Sequence, residues 1–344
     1  MSDMVKWHDN PLADDGVIIS SRVRLARNLR GYPFERRMGS EQTRAMLDEI
    51  KEKLIENGNV FDAKSVIEAE GANSVRYLHL LEKHILSLEF IRKKGLRAAA
   101  AAEDESYSIM INEEDHIRLQ SVFPSEGLDE AYALADDLDN LVDERLEYAY
   151  DKNYGYLTSC PTNTGTGLRA SYMLHIPMLE STKQMQGVVN ALAKFGLTIR
   201  GIYGEGSEPQ GSVYQVSNQV TLGKSEKEIM QSLKNLTQNI ISQENALREK
   251  CTANSDYDFI DRIYRSYGIL VNARKLDKNE AVSLLSNVRL GFLSGVLDAK
   301  RPSKTIYSTM IDIQPGNLSL LAGKQLTDDE GLLFRAEYIR KCFN

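Results

Sequence analysis

The chain is short of cysteine, of basic excess and of long apolar runs, and each lack narrows what it can be. Its three cysteines, Cys160, Cys251 and Cys342, are far apart and odd in number. They support neither a disulfide framework nor a cysteine-based zinc site, and they fit a reducing compartment. No apolar stretch approaches the roughly 20 residues that span a bilayer, and Met1 to Asn10 is too polar for a signal peptide, so a cytoplasmic protein is expected. A net charge of -7 argues against a general nucleic-acid binder. Arginine clusters in an acidic chain instead point to a specific small anion. Several standard site motifs are missing as well. The nearest approach to a phosphate-binding Gly-x-x-x-x-Gly-Lys-[Ser/Thr] loop, Gly206 to Gly211, is followed by Ser212 and has no lysine. There is no His-Glu-x-x-His, His79 and His84 have the wrong spacing for one helical face, and no Gly-x-Ser-x-Gly elbow occurs.

What is present reads as an ordinary globular protein. At 344 residues, with 42% hydrophobic and 26% charged residues, the chain exceeds the roughly 100–200 residues of one domain, so two are expected. Tyr107 to Ile111, Leu197 to Tyr203 and Ser212 to Val216 alternate with period two and predict strands. Long helical patterns cover Leu128 to Tyr150 and Ser225 to about Arg248, the second opening on the capping box Ser225-Glu226-Lys227-Glu228. Grouped strands separated by long helices predict an α+β fold, an antiparallel or mixed sheet flanked by helices, and disfavour a doubly wound nucleotide fold. Beyond Cys251 the stretches Tyr257 to Ala273, Asn279 to Leu297 and Thr327 to Cys342 are helical in pattern. They predict a helical domain over 251–344, whose apolar stripes serve its own core or a dimer interface. The run Ala98 to Ala102 reads as a helix end or a loop before the strand at Tyr107.

Three segments carry chemistry. Val17 to Leu25 reads as a strand on which Arg22 and Arg24 share a face, about 7 Å apart, while Val23 and Leu25 face the core. Two neighbouring guanidiniums clamp a polyphosphate well; a solvated basic edge protecting a strand is the other reading. Glu113, Glu114 and Asp115, before Arg118, follow a strand, where catalytic groups are often held. Buried together they cannot all ionise cheaply, which suits a base or a cation-binding group; an exposed acidic turn is the bland alternative. Cys160 to Arg169 places a thiol, Gly165, Gly167 and a guanidinium together, although a lone cysteine is more often buried and inert. A fourth segment, Arg200 to Glu208, is a strand entering a glycine-rich loop with two acids, or simply a hairpin.

These four segments, Ser-Ser-Arg-Val-Arg, Asn-Glu-Glu-Asp-His-x-Arg, Cys-Pro-Thr-Asn-x-Gly-Thr and Arg-Gly-x-x-Gly-Glu in this order, resemble the phosphagen (guanidino) kinase family over about Gly16 to Lys250. The resemblance implies an antiparallel sheet flanked by helices, MgATP as phosphoryl donor and a guanidine as acceptor. By position, Arg22, Arg24, Arg118 and Arg169 resemble the arginines that hold nucleotide phosphates. Ser20, Ser21 and Val23, the run Ala170, Ser171, Tyr172 and Met173, and the segment Arg200, Gly201, Ile202, Tyr203, Gly204 and Glu205 adjoin them. His84 resembles a nucleotide-side contact. Glu114 resembles the catalytic carboxylate, Glu208 the second acid gripping the guanidinium, and Cys160 the substrate-side thiol. Tyr203 stands where creatine and free-arginine kinases carry another phosphate-binding arginine, a departure that points away from them.

Small-molecule members of the family carry a helical domain of about a hundred residues ahead of the Ser-Ser-Arg segment, here begun at Ser20, and they end near the last motif. The present layout resembles the bacterial members that phosphorylate arginine side chains of proteins, acting in stress response and protein quality control. The alternatives are a kinase for free arginine and a catalytically silent scaffold that binds phosphoarginine or a partner. In the protein-directed branch an Arg-Asp-x-x-Arg-Ala motif binds phosphoarginine. Here Gly331-Leu332-Leu333-Phe334-Arg335-Ala336 keeps only its last two residues, which leaves that feedback open while catalysis need not change. The resemblance further implies a zinc-binding activator protein, the heat-shock repressor CtsR and clients of the ClpC unfoldase as partners, and a homodimer.

Overall fold

A computed structural model describes residues 6–56, 60–61, 66–69, 77–201, 209–254 and 256–344. One sheet dominates it, built from β1 (Ile18–Arg27), β2 (Ile67–Ala69), β3 (Arg97–Ala101), β4 (Tyr107–Ile111), β5 (Ile117–Pro124), β8 (Leu168–His175), β9 (Leu197–Gly201) and β10 (Val213–Asn218). The short strands β6 (Tyr150–Asp151) and β7 (Gly155–Tyr156) pair separately. The order in the large sheet is β2-β3-β4-β5-β1-β8-β10-β9, and every pairing is antiparallel. Of the two sheet types expected, the antiparallel one is realised, within an α+β fold.

Alternation along the central strands divides the sheet into two unlike faces. Val23, Leu25, Ile109, Leu119, Ala170, Tyr172 and Val216 point to one side and join a large buried cluster. It is covered by α1 (Ser40–Lys51), α4 (Leu128–Asp143), α6 (Met185–Ala193) and α7 (Glu226–Ala253), with α2 (Leu78–Glu82), α3 (Leu88–Arg92) and α5 (Pro177–Ser181) as short connecting turns. Arg22, Arg24, Arg118, Gln120, Arg169, Ser171, Gln215 and Ser217 fall on the other face, as their cross-strand register requires. A second core covers one end of that face, where Val122, Met173 and Val213 pack. It is supplied by α8 (Tyr257–Asn272), α9 (Lys278–Leu293), α10 (Ile306–Asp312), α11 (Pro315–Leu321) and α12 (Asp328–Phe343), together with Trp7 and Ala13. Tyr77, Leu86 and Phe90 cover Ala99 and Met110 on the same face, and between these two covers a cavity stays open.

Several expected elements change length or type for local reasons. The helix from Leu128 stops at Asp143, because Leu146 and Tyr148 are buried and Tyr148 bridges to Leu29 while the N–H of Ala149 donates to the carbonyl of Asn28. The helix expected to reach Leu297 ends at Leu293, where Gly295 takes φ 68 and turns the chain. Ala98 to Ala102 is neither helix end nor loop: Arg97–Ala101 is a strand, buried on both faces and so without alternation. The two predicted capping boxes form, Ser225 with Glu228 and Thr327 with Glu330, each starting a long helix.

Candidate functional site

On the open face, the middle strands enclose a cavity of about 660 Å³. Five arginines line it: Arg22 and Arg24 from β1, Arg118 from β5, Arg169 from β8 and Arg200 from β9. They meet there because Arg24 pairs across the ladder with Arg169, and Ala26, two residues on from Arg24, pairs with Arg118. Guanidiniums of one sign in a partly dry cavity strain one another. Burial first, then Arg169 and Arg118, pushes Arg22 down to about 10, and burial with Arg22, Arg169 and Arg118 lowers Arg24 well below the ordinary arginine range. Polar neighbours hold the side chains in place: Gln215 Oε1 accepts from Arg22 Nη2 at 2.5 Å, and Ser217 Oγ from Arg169 Nη2 at 3.2 Å. Arg24 Nε is buried with no hydrogen-bond partner among the described residues. A cluster of like charges in this state suits a polyanion.

The three consecutive acids divide their work. They sit in the turn between β4 and β5, opened by Asn112 in the left-handed region (φ 57), whose side-chain amide donates to the carbonyl of Leu96 at 2.6 Å. Glu113 is buried, accepts from Arg118 Nη1 at 2.6 Å and also takes the Ser87 hydroxyl. Asp115 is fully buried and accepts from Asn28 Nδ2 (2.7 Å) and from the backbone N–H of Ser159 (2.6 Å). Glu114 alone reaches the cavity, 3.3 Å from Arg118 Nη2 with a side chain 41% exposed. Burial raises its pKa, Arg118 opposes this, and the neighbouring charges of Asp115 and Glu113 add to the rise. Burial would lower the pKa of Arg118, but Glu113, Glu114 and Asp115 outweigh it, so this arginine is held charged. His116 is part of the support: the backbone N–H of Leu29 donates to Nδ1, and Nε2 meets the carbonyl of Pro33 at 3.0 Å, which fixes a neutral ring.

Asp115 also ties this turn to the segment carrying the thiol. Its bond to Ser159 places Cys160 at the cavity, where Sγ lies 3.0 Å from the Thr162 hydroxyl. Gly167, at φ 64, lets this segment approach β1: a Cβ there would stand 2.4 Å from Arg27 Nη1 and 2.6 Å from the carbonyl oxygen of Ala26. Arg27 itself is buried, paired with Asp139 at 2.6 Å, and stacks over Tyr156 at 3.5 Å on the helix-covered face.

Of the residues singled out from the sequence, Arg22, Arg24, His84, Glu114, Arg118, Cys160, Arg169, Arg200 and Gly201 line this cavity. Val23, Ala170 and Tyr172 do not: strand alternation turns their side chains into the core on the opposite face. Ser21 is buried, its hydroxyl donating to the carbonyl of Ser125, and Met173 packs in the second core. Ser20 is buried, and Ser171 donates its hydroxyl to the carbonyl of Arg22 at 3.4 Å. Ile202, Tyr203, Gly204, Glu205 and Glu208 lie outside the described residues. Arg335, from the altered C-terminal run, is buried and donates to the carbonyls of Ile313 (3.0 Å) and Leu276 (3.1 Å). Sequence reading missed Gln215 and Ser217, whose position on the same strand face as the arginines is the signal that finds them, and Glu113 as the partner of Arg118.

Residues 45–247 match the family model for the ATP:guanido phosphotransferase C-terminal catalytic domain, and 256–344 match that for the protein-arginine kinase McsB C-terminal domain. Curated relatives run the full length. A protein-arginine kinase of Clostridium acetobutylicum is 39% identical over 98% of this chain and 99% of its own, and one of Moorella thermoacetica is 41% identical over 98% and 96%. Among solved structures, lombricine kinase superposes with a TM-score of 0.58 at 25% identity, covering 72% of this chain and 71% of that one. The duplicated taurocyamine kinase of Schistosoma mansoni with transition-state-analogue components gives 0.57 at 27%, covering 68% and 34%.

Proposed function

This chain belongs to the ATP:guanido phosphotransferases and, within them, to the protein-arginine kinases, and from that membership we propose how its cavity works. Arg22, Arg24, Arg118, Arg169 and Arg200 hold the nucleotide phosphates, and Glu114 orients the substrate arginine and draws its proton. The observation that carries this reading is the placement of Glu114 as the acid of its turn that faces the five guanidiniums, with its pKa raised. A guanidinium has a pKa above about 12 and no free lone pair, so it must lose a proton as its terminal nitrogen bonds to phosphorus. A carboxylate of raised basicity suits that transfer. The arginines stabilise the charge that spreads over the moving phosphoryl oxygens as the bond to the leaving diphosphate breaks. Cys160, beside the same opening, contributes to the guanidine side, with Glu208 as the expected second acid.

The unpartnered Arg24 Nε and the depressed guanidinium pKa values fit a polyphosphate ligand. Among the described residues no group of three or more His, Cys, Asp or Glu side chains forms a metal cage. A magnesium ion that arrives on phosphate oxygens with its own water needs none, and it would supply charge neutralisation there. The protein partners proposed with this activity are the repressor CtsR, ClpC-degraded clients, a zinc-binding activator and a second copy of the chain, in the cytoplasm and in stress response. Converting a cation to an anion on a target reverses its local electrostatics, which would release a repressor from DNA or mark a client. Incubation with γ-labelled ATP, with free arginine and an arginine-rich protein as competing acceptors, tests the acceptor. Acid-labile label is expected on the protein, and label confined to free arginine rejects the reading.

A further inference from the structure

One wall of the arginine-lined cavity is the connection that carries Leu81, His84, Leu86 and Ser87, and its anchors lie in the C-terminal helices. Glu82, only 4% exposed, accepts from the backbone N–H groups of Gly316 (2.8 Å) and Asn317 (2.7 Å) and from Asn317 Nδ2 (2.8 Å). A Cβ at Gly316 would stand 2.7 Å from the backbone nitrogen of His79, so α11 sits directly against α2. Two residues beyond Glu82, His84 adopts φ 62, a left-handed conformation uncommon for a side chain of this size. Such a conformation persists only where its surroundings over-determine it. Here they do. The carbonyl of His84 accepts from Gln120 Nε2 at 2.8 Å, its ring Nε2 lies 3.0 Å from the hydroxyl of Tyr307 on α10, and Trp7 packs against both rings. Gln120 is the cross-strand partner of Arg24, so the seat of His84 is continuous with the arginine floor.

We propose that Tyr307 and Glu82 are positioning residues of the kinase reaction: acting through His84, they let the C-terminal helices set the nucleotide wall. The inference rests on the assignment of His84 to the nucleotide side. Nucleotide affinity then depends on how α10 and α11 are seated against α2, although neither helix contributes a side chain to the arginine cluster. A catalytic half without these helices lacks the Tyr307 hydroxyl and the α11 groups that brace Glu82, and keeps Gln120 on the carbonyl of His84.

The test compares the full-length protein with Tyr307→Phe, Glu82→Gln, His84→Ala and the double variant Tyr307→Phe/His84→Ala, measuring MgATP affinity and steady-state kinetics. Tyr307→Phe is expected to weaken MgATP about three- to tenfold, the range of one net hydrogen bond. The nucleotide KM should rise by a similar factor, kcat at saturation should change less, and the substitution should add nothing in the His84→Ala background. Unchanged affinity in both Tyr307→Phe and Glu82→Gln, with His84→Ala weakened, overturns the inference, as does full additivity in the double variant. If His84→Ala itself leaves affinity unaltered, the nucleotide-side assignment fails, and this inference with it.

Discussion

Glu113, Glu114 and Asp115 show how three like residues in a row acquire different work from their partners. Asp115 is consumed in holding two backbone segments together and Glu113 in holding Arg118, which leaves Glu114 as the carboxylate of the three that lines the cavity. The sequence motif locates the cluster; only the fold reveals which member is free to act, because the deciding partners, Asn28 and Ser159, are distant in the chain. The raised pKa of Glu114 makes a signed prediction. A base works deprotonated, so activity is lost as pH falls through that raised value. Glu113→Gln removes a like charge that raises it, and the acidic limb of kcat/KM should shift to lower pH; an unmoved limb, or one moved upward, contradicts the account. At the phosphate end, Arg22→Ala and Arg169→Ala should each weaken MgATP binding by about 1.5–3 kcal/mol, the worth of charged hydrogen bonds. Titration calorimetry giving wild-type affinity for both would remove these residues from the site.

Strands place the arginines of this site, and period two explains both what was legible there and what was not. The alternation Arg22, Arg24 against Val23, Leu25 is visible in the sequence and is realised, with the arginines on the cavity face and Val23 and Leu25 in the core. The same rule, applied to Ala170 and Tyr172, puts them on the far face, away from the cavity that a positional match had assigned them. The alanines of β3 escaped detection because a strand packed on both faces has no polar side to alternate with. Between strands, Gly167 has little room for change. Gly167→Ala combines a left-handed backbone with contacts of 2.4 and 2.6 Å to Arg27 and Ala26. It should cost about 1–3 kcal/mol of stability, read from the denaturant midpoint. A stability equal to wild type would show that β1 and the Gly167 segment are not held so closely.

At the scale of the molecule, two cores share one sheet. The sequence reading began the catalytic unit at residue 16, yet Trp7, His8 and Ala13 are buried against the C-terminal helices, in a segment too short and irregular to show a period. Arg289 of α9 fastens this junction. It is 1% exposed and donates to Asp14 Oδ1 (3.1 Å) and to the carbonyls of Ala13 and Gly16 (both 2.8 Å). Arg289→Ala leaves the buried carbonyl of Ala13 and the half-buried acceptors of Asp14 and Gly16 without their donor and should destabilise the protein by about 3–5 kcal/mol. A loss below about 1 kcal/mol in equilibrium unfolding would mean the N-terminal segment is not fastened to the C-terminal helices through this residue. The division into units over 16–250 and 251–344 is thus proposed as a division of the chain rather than of the cores, since the second core also takes Trp7, Ala13, Val122, Met173 and Val213.

The central claim, that Glu114 draws the proton from an arginine side chain held opposite the guanidinium cluster, is tested most directly by the Glu114→Gln variant. An arginine-rich protein treated with enzyme and MgATP, and analysed by mass spectrometry under non-acidic conditions, gives the rate of arginine phosphorylation. The variant should be slower by about 10²–10⁴ while its MgATP affinity, measured on the same sample, stays within about twofold of wild type. Undiminished phosphorylation by Glu114→Gln would contradict the account.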